Sequence, residues 1–162
     1  MNADVTVRRV DYFNPGDASA LLTLINGYAM DPMGGGEALR PDVLEKLVPE
    51  LAKRPNALSV FGLWQGQPVG LINAFEGFSS FAAEPLIYIH DVTVDPAYRG
   101  RGVAVAMLQE IERIALERGA CKITLEVLSR NPAAKVYERF GFKLYQLDPA
   151  AGTGQFMQKK LK

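Results

Sequence analysis

The sequence predicts an α/β protein of the α+β type, a layered αβα domain around a mixed, mostly antiparallel central sheet of roughly six to seven strands. Three observations predict it. Apolar residues recur in the order strand, two helices, three strands, helix, strand, helix, two strands. The segment Gln65-Gly66-Gln67-Pro68 is a tight hairpin signal, which makes the early strands antiparallel. The later strand, helix, strand unit requires a parallel pair with a right-handed crossover, so the sheet is mixed.

Each element has a local cause. Val5, Val7 and Val10 suggest a first strand; Asn14-Pro15-Gly16-Asp17 breaks it and offers Asp17 as a helix cap. From about Ala18 to Tyr28, Leu21, Leu22, Leu24, Ile25 and Tyr28 form a wide apolar helical face. Asp31-Pro32-Met33-Gly34-Gly35-Gly36 cannot continue that helix and is expected to be an exposed, mobile loop. A second helix over Pro41 to Ala52 starts on Pro41 and buries Val43, Leu44, Leu47, Val48 and Leu51, with Pro49 a potential kink. Strands follow at Leu58 to Trp64, Val69 to Phe75 and Leu86 to Val94, with Trp64 as core or turn packing. Glu76 to Pro85 is expected to be a loop or frayed strand ends, in which Phe78 and Phe81 either line an acceptor pocket or simply pack.

Val103, Met107, Ile111 and Ile114 recur at helical spacing, and Gly119 ends that helix. Ile123, Leu125 and Val127 alternate as a strand, and Asn131-Pro132 opens a short helix with Asn131 as cap, terminated by Gly141. Phe142, Leu144 and Leu147, and then Phe156 to Leu161, are expected to be the last two strands. The chain shows no internal repeat, linker or low-complexity segment and is expected to be one domain.

The most informative stretch is Val92 to Ala104. Val92, Thr93 and Val94 favour a strand, and Asp95-Pro96 ends it. Gly100 and Gly102 allow close approach of backbone to a ligand, and a helix begins at Val103. The N–H groups of Arg101 to Ala104 would then be unpaired donors at a helix N-terminus, where an anion is stabilised. A solvated turn is the plain alternative. The nucleotide P-loop ending and the dinucleotide Gly-x-Gly-x-x-Gly pattern are both absent.

What remains, Arg99-x-x-Gly102-x-Ala104 after Val-x-Val-Asp-Pro, closely resembles the acetyl-CoA loop of the GNAT superfamily of N-acyltransferases, whose pattern is Gln/Arg-x-x-Gly-x-Gly/Ala. Asn131 to Phe142, Asn-Pro-Ala-Ala-Lys-Val-Tyr-Glu-Arg-Phe-Gly-Phe, resembles the second motif of that family. The resemblance runs from about Leu58 onward. It implies a GNAT-like fold with a wedge between the strands flanking the loop, and acetyl-CoA as acyl donor. The pyrophosphate would rest on the N–H groups of Arg99, Gly100, Arg101, Gly102, Val103 and Ala104, with the Arg99 and Arg101 guanidinium groups adding charge. The strand Val92, Thr93, Val94 would hold the pantetheine arm through the N–H groups of Val92 and Val94, with Val92 polarising the thioester carbonyl, and Asn131 would cap its helix, contact the cofactor, or both.

Composition narrows the alternatives. With 18 basic and 18 acidic residues, nothing indicates a nucleic-acid stripe. No segment approaches the ~18 apolar residues of a membrane span, and the N-terminal stretch beginning Met-Asn-Ala-Asp has no apolar signal region. A single cysteine, Cys121, and one histidine leave no metal-ligand cluster and fit a reducing, cytoplasmic setting. Cys121 is read as a small buried hydrophobe. A homodimer is left open.

An amine acceptor with a pKa near about 10.4 is almost wholly protonated at neutral pH, so a base must take its proton. His90, two residues before Val92, is the first candidate, with Asp91 and Glu126 as rivals. Strand alternation keeps His90 and Asp91 from facing one pocket unless a bulge intervenes. Tyr137 matches the family's general acid for the departing thiolate; without the motif it would be read as a packed helical tyrosine. The resemblance therefore implies an N-acetyltransferase acting directly on a primary amine, with a small molecule preferred to a protein or peptide. A non-catalytic CoA-binding sensor and a nucleotide-phosphate binder are the alternatives. Acceptor choice is expected to lie with Ala29 to Leu39, Glu76 to Pro85 and Pro149 to Gly154. Asp31, Glu37, Glu76 and Glu84 either form a cation-attracting rim or are simply solvated.

Overall fold

The computed structural model describes residues 3–161. Met1 and Asn2, part of the stretch read for a targeting signal, and Lys162 lie outside the described residues. The chain divides into two compact units, Met1–Leu125 and Glu126–Lys162.

The first unit runs β1 (Val5–Arg9), α1 (Pro15–Met30), α2 (Pro41–Ala52), β2 (Ala57–Trp64), β3 (Gln67–Ser79), β4 (Glu84–Val94), α3 (Val103–Glu117) and β5 (Ile123–Leu125). Its sheet has the order β1-β2-β3-β4-β5, antiparallel throughout except for the parallel pair β4 and β5. The β2–β3 hairpin turns on two residues, Gln65 at φ 48° and Gly66 at φ 85°. A two-residue loop with both φ positive matches the twist of the flanking strands.

Alternation along the strands divides the core. Phe61, Leu63 and Leu71 pack with Leu21, Leu24 and Ile25 of α1 and with Val48 and Leu51 of α2. The opposite face receives α3, whose Val103 and Met107 lie directly over Gly62 and Gly70. These two glycines are cross-strand neighbours. They let the first turn of α3 lie close against the sheet. Each fully buried Leu or Ile contributes about 1.5–3 kcal/mol, so both faces stabilise the unit.

α1 corrects one expectation. Its cap is Asn14, whose Oδ1 accepts the Asp17 N–H at 3.1 Å, and the helix begins at Pro15 rather than near Ala18. Asp17 turns inward instead. Its carboxylate takes both Arg8 Nη groups at 2.6 and 2.7 Å and the Asp11 N–H at 2.9 Å. The Arg8 bonds hold this carboxyl below its ordinary range against the opposing effect of burial. Of the two readings of Glu76 to Pro85, the strand ends hold: β3 and β4 pair out to Ser79 and Glu84 as a hairpin arm, with a turn at 80–83. Phe78 and Phe81 are exposed on it. Cys121 is also exposed, not buried. It lies just before β5, where its N–H bonds to the Pro85 carbonyl and its side chain falls outside the core.

In the second unit Asn131 Oδ1 accepts the Ala133 N–H at 2.9 Å, so it caps a turn, and α4 (Ala134–Phe140) begins beyond it. Gly141, at φ 111°, ends α4, and the Phe142 N–H closes back on the Tyr137 carbonyl. Among the described residues the sheet thus has five strands rather than six or seven. Neither Phe142 to Leu147 nor Phe156 to Leu161 is a strand among the described residues. Leu144, Leu147, Phe156 and Leu161 are exposed, so neither run buries the alternating face that makes a strand worthwhile.

Candidate active site

β4 and β5 stay paired only from Ile87 to Ile89, opposite Ile123 to Leu125. Beyond Ile89, β4 continues to Val94 while β5 has ended. The ladder fixes which groups face that outer edge. The Asp95 N–H bonds to Val69 on β3, so by alternation Thr93 also turns toward β3, and the N–H groups of Val92 and Val94 point outward. The Val94 carbonyl on this same edge accepts Arg99 Nε at 3.0 Å.

A bulge sits where the edge opens. Asn73 pairs with Asp91 and Ala74 with Ile89, so His90 is the extra residue. An inserted residue resets the side-chain alternation. Both His90 and Asp91 therefore face the α1/α2 side of the sheet. The His90 ring stands edge-on to Tyr88 at 5.7 Å and Phe75 at 6.2 Å, and its Nδ1 lies 3.1 Å from Asp91 Oδ1. The His90 side chain is 57% exposed and that of Asp91 19%, so the imidazole is accessible while the carboxylate is sheltered.

After β4, a 3-10 turn at Pro96–Tyr98 leads through Gly100 at φ 74° and Gly102 at φ 90° into α3. These are left-handed conformations that glycine adopts without strain. Among the described residues no side chain caps α3, and its first intrahelical bond is from Ala106 to Gly102. The N–H groups of Val103, Ala104 and Val105 consequently have no intrahelical acceptor. The two arginines hold the loop. The Arg101 guanidinium lies over Trp64 at 4.7 Å and Tyr98 at 5.5 Å. Arg99 Nη2 lies 3.0 Å from Asp31 Oδ2 in the α1–α2 loop.

These pairings reshape the acidic rim read from the sequence. The Met33 N–H and Arg99 together pull the Asp31 carboxyl below its ordinary range, and Glu76 is engaged by Arg118 at 2.8 Å. In the second unit, Tyr137 of α4 is buried with its ring edge-on to Phe142 at 6.1 Å. Asn131 stands just ahead of the same helix.

The Acetyltransferase (GNAT) family matches residues 24–142, a span that includes the wedge edge, the glycine loop and α4. The chain belongs to this family.

Among relatives of this GNAT chain, streptothricin acetyltransferase of Streptomyces lavendulae is 35% identical over 86 residues, covering 52% of this chain and 46% of that protein. The chain thus spans less than half the length of that relative. An uncharacterized N-acetyltransferase of Bacillus subtilis, YsnE, is 28% identical over 151 residues, covering 87% of this chain and 92% of that one. An aminoglycoside acetyltransferase from a soil metagenomic sample, solved with sisomicin, superposes with a TM-score of 0.73 over 98% of this chain and 96% of that chain. At 16% identity, that likeness speaks for the GNAT fold alone.

Three residues at this GNAT site escaped the sequence reading: Tyr12, Ser59 and Asn73. Ser59 and Asn73 are buried polar residues within apolar strands, paired directly across β2 and β3. The Tyr12 hydroxyl lies 2.7 Å from Ser59 Oγ, Ser59 Oγ donates to Asn73 Oδ1 at 2.7 Å, and Asn73 Nδ2 donates to Asp91 Oδ2 at 3.1 Å. A polar residue at alternating positions of each strand was the available signal. Its meaning depended on register.

Proposed function

We propose that this protein is an N-acetyltransferase that moves the acetyl group of acetyl-CoA directly to a primary amine of a small molecule, the whole chain acting as one cytoplasmic acyltransferase domain. One observation carries the reading: an uncapped N-terminus of α3, entered through two glycines at positive φ, follows directly on the outward N–H groups of Val92 and Val94. Among the described residues a Cβ at Gly100 or Gly102 would meet nothing within 4 Å, so open space adjoins the backbone there. These features suit a diphosphate followed by an amide-bearing arm. Arg99, Gly100, Arg101, Gly102, Val103 and Ala104 would hold the diphosphate through backbone donors. Thr93 faces β3, and Val92 and Val94 would hold the arm.

When bound, acetyl-CoA supplies the activated acyl group. The remaining work falls to the chain. The Val92 N–H stabilises negative charge developing on the acyl oxygen, a kind of contribution worth about 3–4 kcal/mol elsewhere. His90 takes the proton of the acceptor amine. The Tyr137 phenol returns a proton to the departing thiolate, a role phenols suit as general acids, and Asn131 supports the start of its helix. A small amine is preferred because relatives and structural neighbours include proteins named for streptothricin and aminoglycoside acetylation.

The test is free-thiol release from acetyl-CoA by purified protein across polyamines, amino acids, aminoglycosides, arylamines and a lysine peptide. Release dependent on one amine class is the expected result. Acetyl-CoA binding with no amine-dependent release across the panel would refute the catalytic reading.

A further inference from the structure

We propose that Asp91 is a positioning residue for His90, and that the buried row Tyr12–Ser59–Asn73 holds Asp91 in the orientation that fixes the imidazole tautomer. The inference rests on His90 acting as the base.

The argument is one of donors and acceptors. An ionised carboxylate only accepts hydrogen bonds. Asp91 Oδ1 lies against His90 Nδ1, so Nδ1 carries the proton and the lone pair falls on Nε2. Asp91 Oδ2 accepts from Asn73 Nδ2, which commits Asn73 Oδ1 to the other side, where it accepts from Ser59. Ser59 has spent its single proton, so Tyr12 donates to Ser59. Flipping the Asn73 amide would set its oxygen against the carboxylate, two acceptors face to face. Every group therefore has one consistent role, and the row has a single direction from Tyr12 to Asp91.

Register makes this possible. Ser59 pairs with Asn73 and Asn73 with Asp91, so three strands contribute adjacent positions on one face. The bulge brings His90 to that same face. Without it, Asp91 or His90 would point toward α3. Among the described residues, the titratable groups bearing on the pair include Tyr88 on β4, edge-on to the His90 ring, and Tyr28 on α1, whose phenol burial pushes up with Asp91 adding to the effect; Asp31, itself paired with Arg99, acts on the same phenol. Burial also keeps the Tyr12 phenol protonated, as the donor end of the row requires.

His90 is the chain's one histidine, so its imidazole signals in proton–nitrogen correlation spectra need no assignment. The spectra are recorded across pH on the protein alone. The wild type is expected to show the Nδ1–H tautomer. Asp91→Asn can turn its amide N–H toward Nδ1, so the Nε2–H form should take over and the His90 midpoint should fall. Turnover should drop on the order of a hundredfold, the range of a lost general base, with acceptor KM nearly unchanged. Ser59→Ala leaves Asp91 and His90 in place and should mix the tautomers and lower turnover a few-fold. It decides the question without relying on the fold of Asp91→Asn. Wild-type tautomer and midpoint in both variants would overturn the proposal. Wild-type protein that releases no thiol with any amine would overturn the base role, and the spectra, needing no acetyl-CoA, distinguish that failure from a wrong assignment of Asp91.

Discussion

Gly62→Ala tests how tightly the anion-binding turn depends on the sheet beneath it. An added Cβ would lie 2.5 Å from Val103 Cγ1, 3.0 Å from Met107 Cγ and 3.1 Å from Met107 Sδ. Carbon atoms rest about 3.5–4.0 Å apart, so the start of α3 must retreat by roughly 1 Å. Val103 has one strongly preferred χ1 in a helix and cannot swing aside. Overpacking of this kind costs about 1–3 kcal/mol. At about 2–4 °C per kcal/mol for a chain of this size, Tm should fall by about 2–12 °C. Val103 is the first residue of α3, so the displacement reaches the donors assigned to the diphosphate, and acetyl-CoA should bind more weakly. Thermal unfolding and calorimetric titration with acetyl-CoA measure the two effects. Adding Val103→Ala removes the 2.5 Å contact and leaves only those to the flexible Met107, so Gly62→Ala should cost less in that background. Gly70→Ala should be milder, because its nearest neighbour at 2.8 Å is the flexible Met107 Cε and Val103 Cγ1 lies at 2.9 Å, farther than the 2.5 Å it has at Gly62. Wild-type Tm and wild-type acetyl-CoA affinity in Gly62→Ala would refute the argument.

Four further outcomes are expected. Gly102→Ala places a Cβ at φ 90°, a strain of about 1–3 kcal/mol, and should raise the acetyl-CoA Kd; unchanged affinity would argue against the loop as its seat. Tyr137→Phe should lower kcat by about 10²–10⁴ with acetyl-CoA affinity nearly unchanged, and unchanged kcat would remove the acid assignment. His90→Ala should abolish the acidic limb of the rate profile; a limb that persists belongs to another group. Asp17→Asn should cost about 1–3 kcal/mol at neutral pH, the range of charge-assisted bonds, discounted for the half-exposed Arg8. The Asp17 carboxyl is depressed in the folded protein. Its contribution is therefore present above the unfolded value near about 3.9 and is lost as pH falls through the folded one. The stability gap between wild type and variant should close in acid, and a gap that does not vary with pH would exclude the pair as its source.

The residues that local chemistry governs were legible. Gly100, Gly102 and Gly141 stand at positive φ, as the turns and helix ends around them required. Leu21, Leu24 and Ile25 of α1, Val48 and Leu51 of α2 and Met107, Ile111 and Ile114 of α3 became buried faces because helical periodicity is a property of neighbours in sequence, whereas Val43, Leu44 and Leu47 of α2 stay half-buried. The Val92 to Ala104 motif combined both kinds of signal, and it gave the family correctly. Asp17 was misplaced as a cap because Asn14 and Asp17 are equally good caps in isolation. Only its pairing with Arg8 of the neighbouring strand end drew it inward.

Tertiary structure decided what depends on register and on surroundings. The bulge at His90 changes which side chains share a face, yet one extra residue leaves no mark in an apolar β run. The same holds for the row Ser59, Asn73, Asp91, whose members are 14 and 18 residues apart and meet only through strand pairing. The apolar alternation after Gly141 promised strands, but alternation forms one only where there is a face to bury. Local propensity and periodicity act over a few residues and can be read along the chain, whereas pairing partners, burial and the direction of a hydrogen-bond row arise from segments that are distant in sequence and meet only on folding.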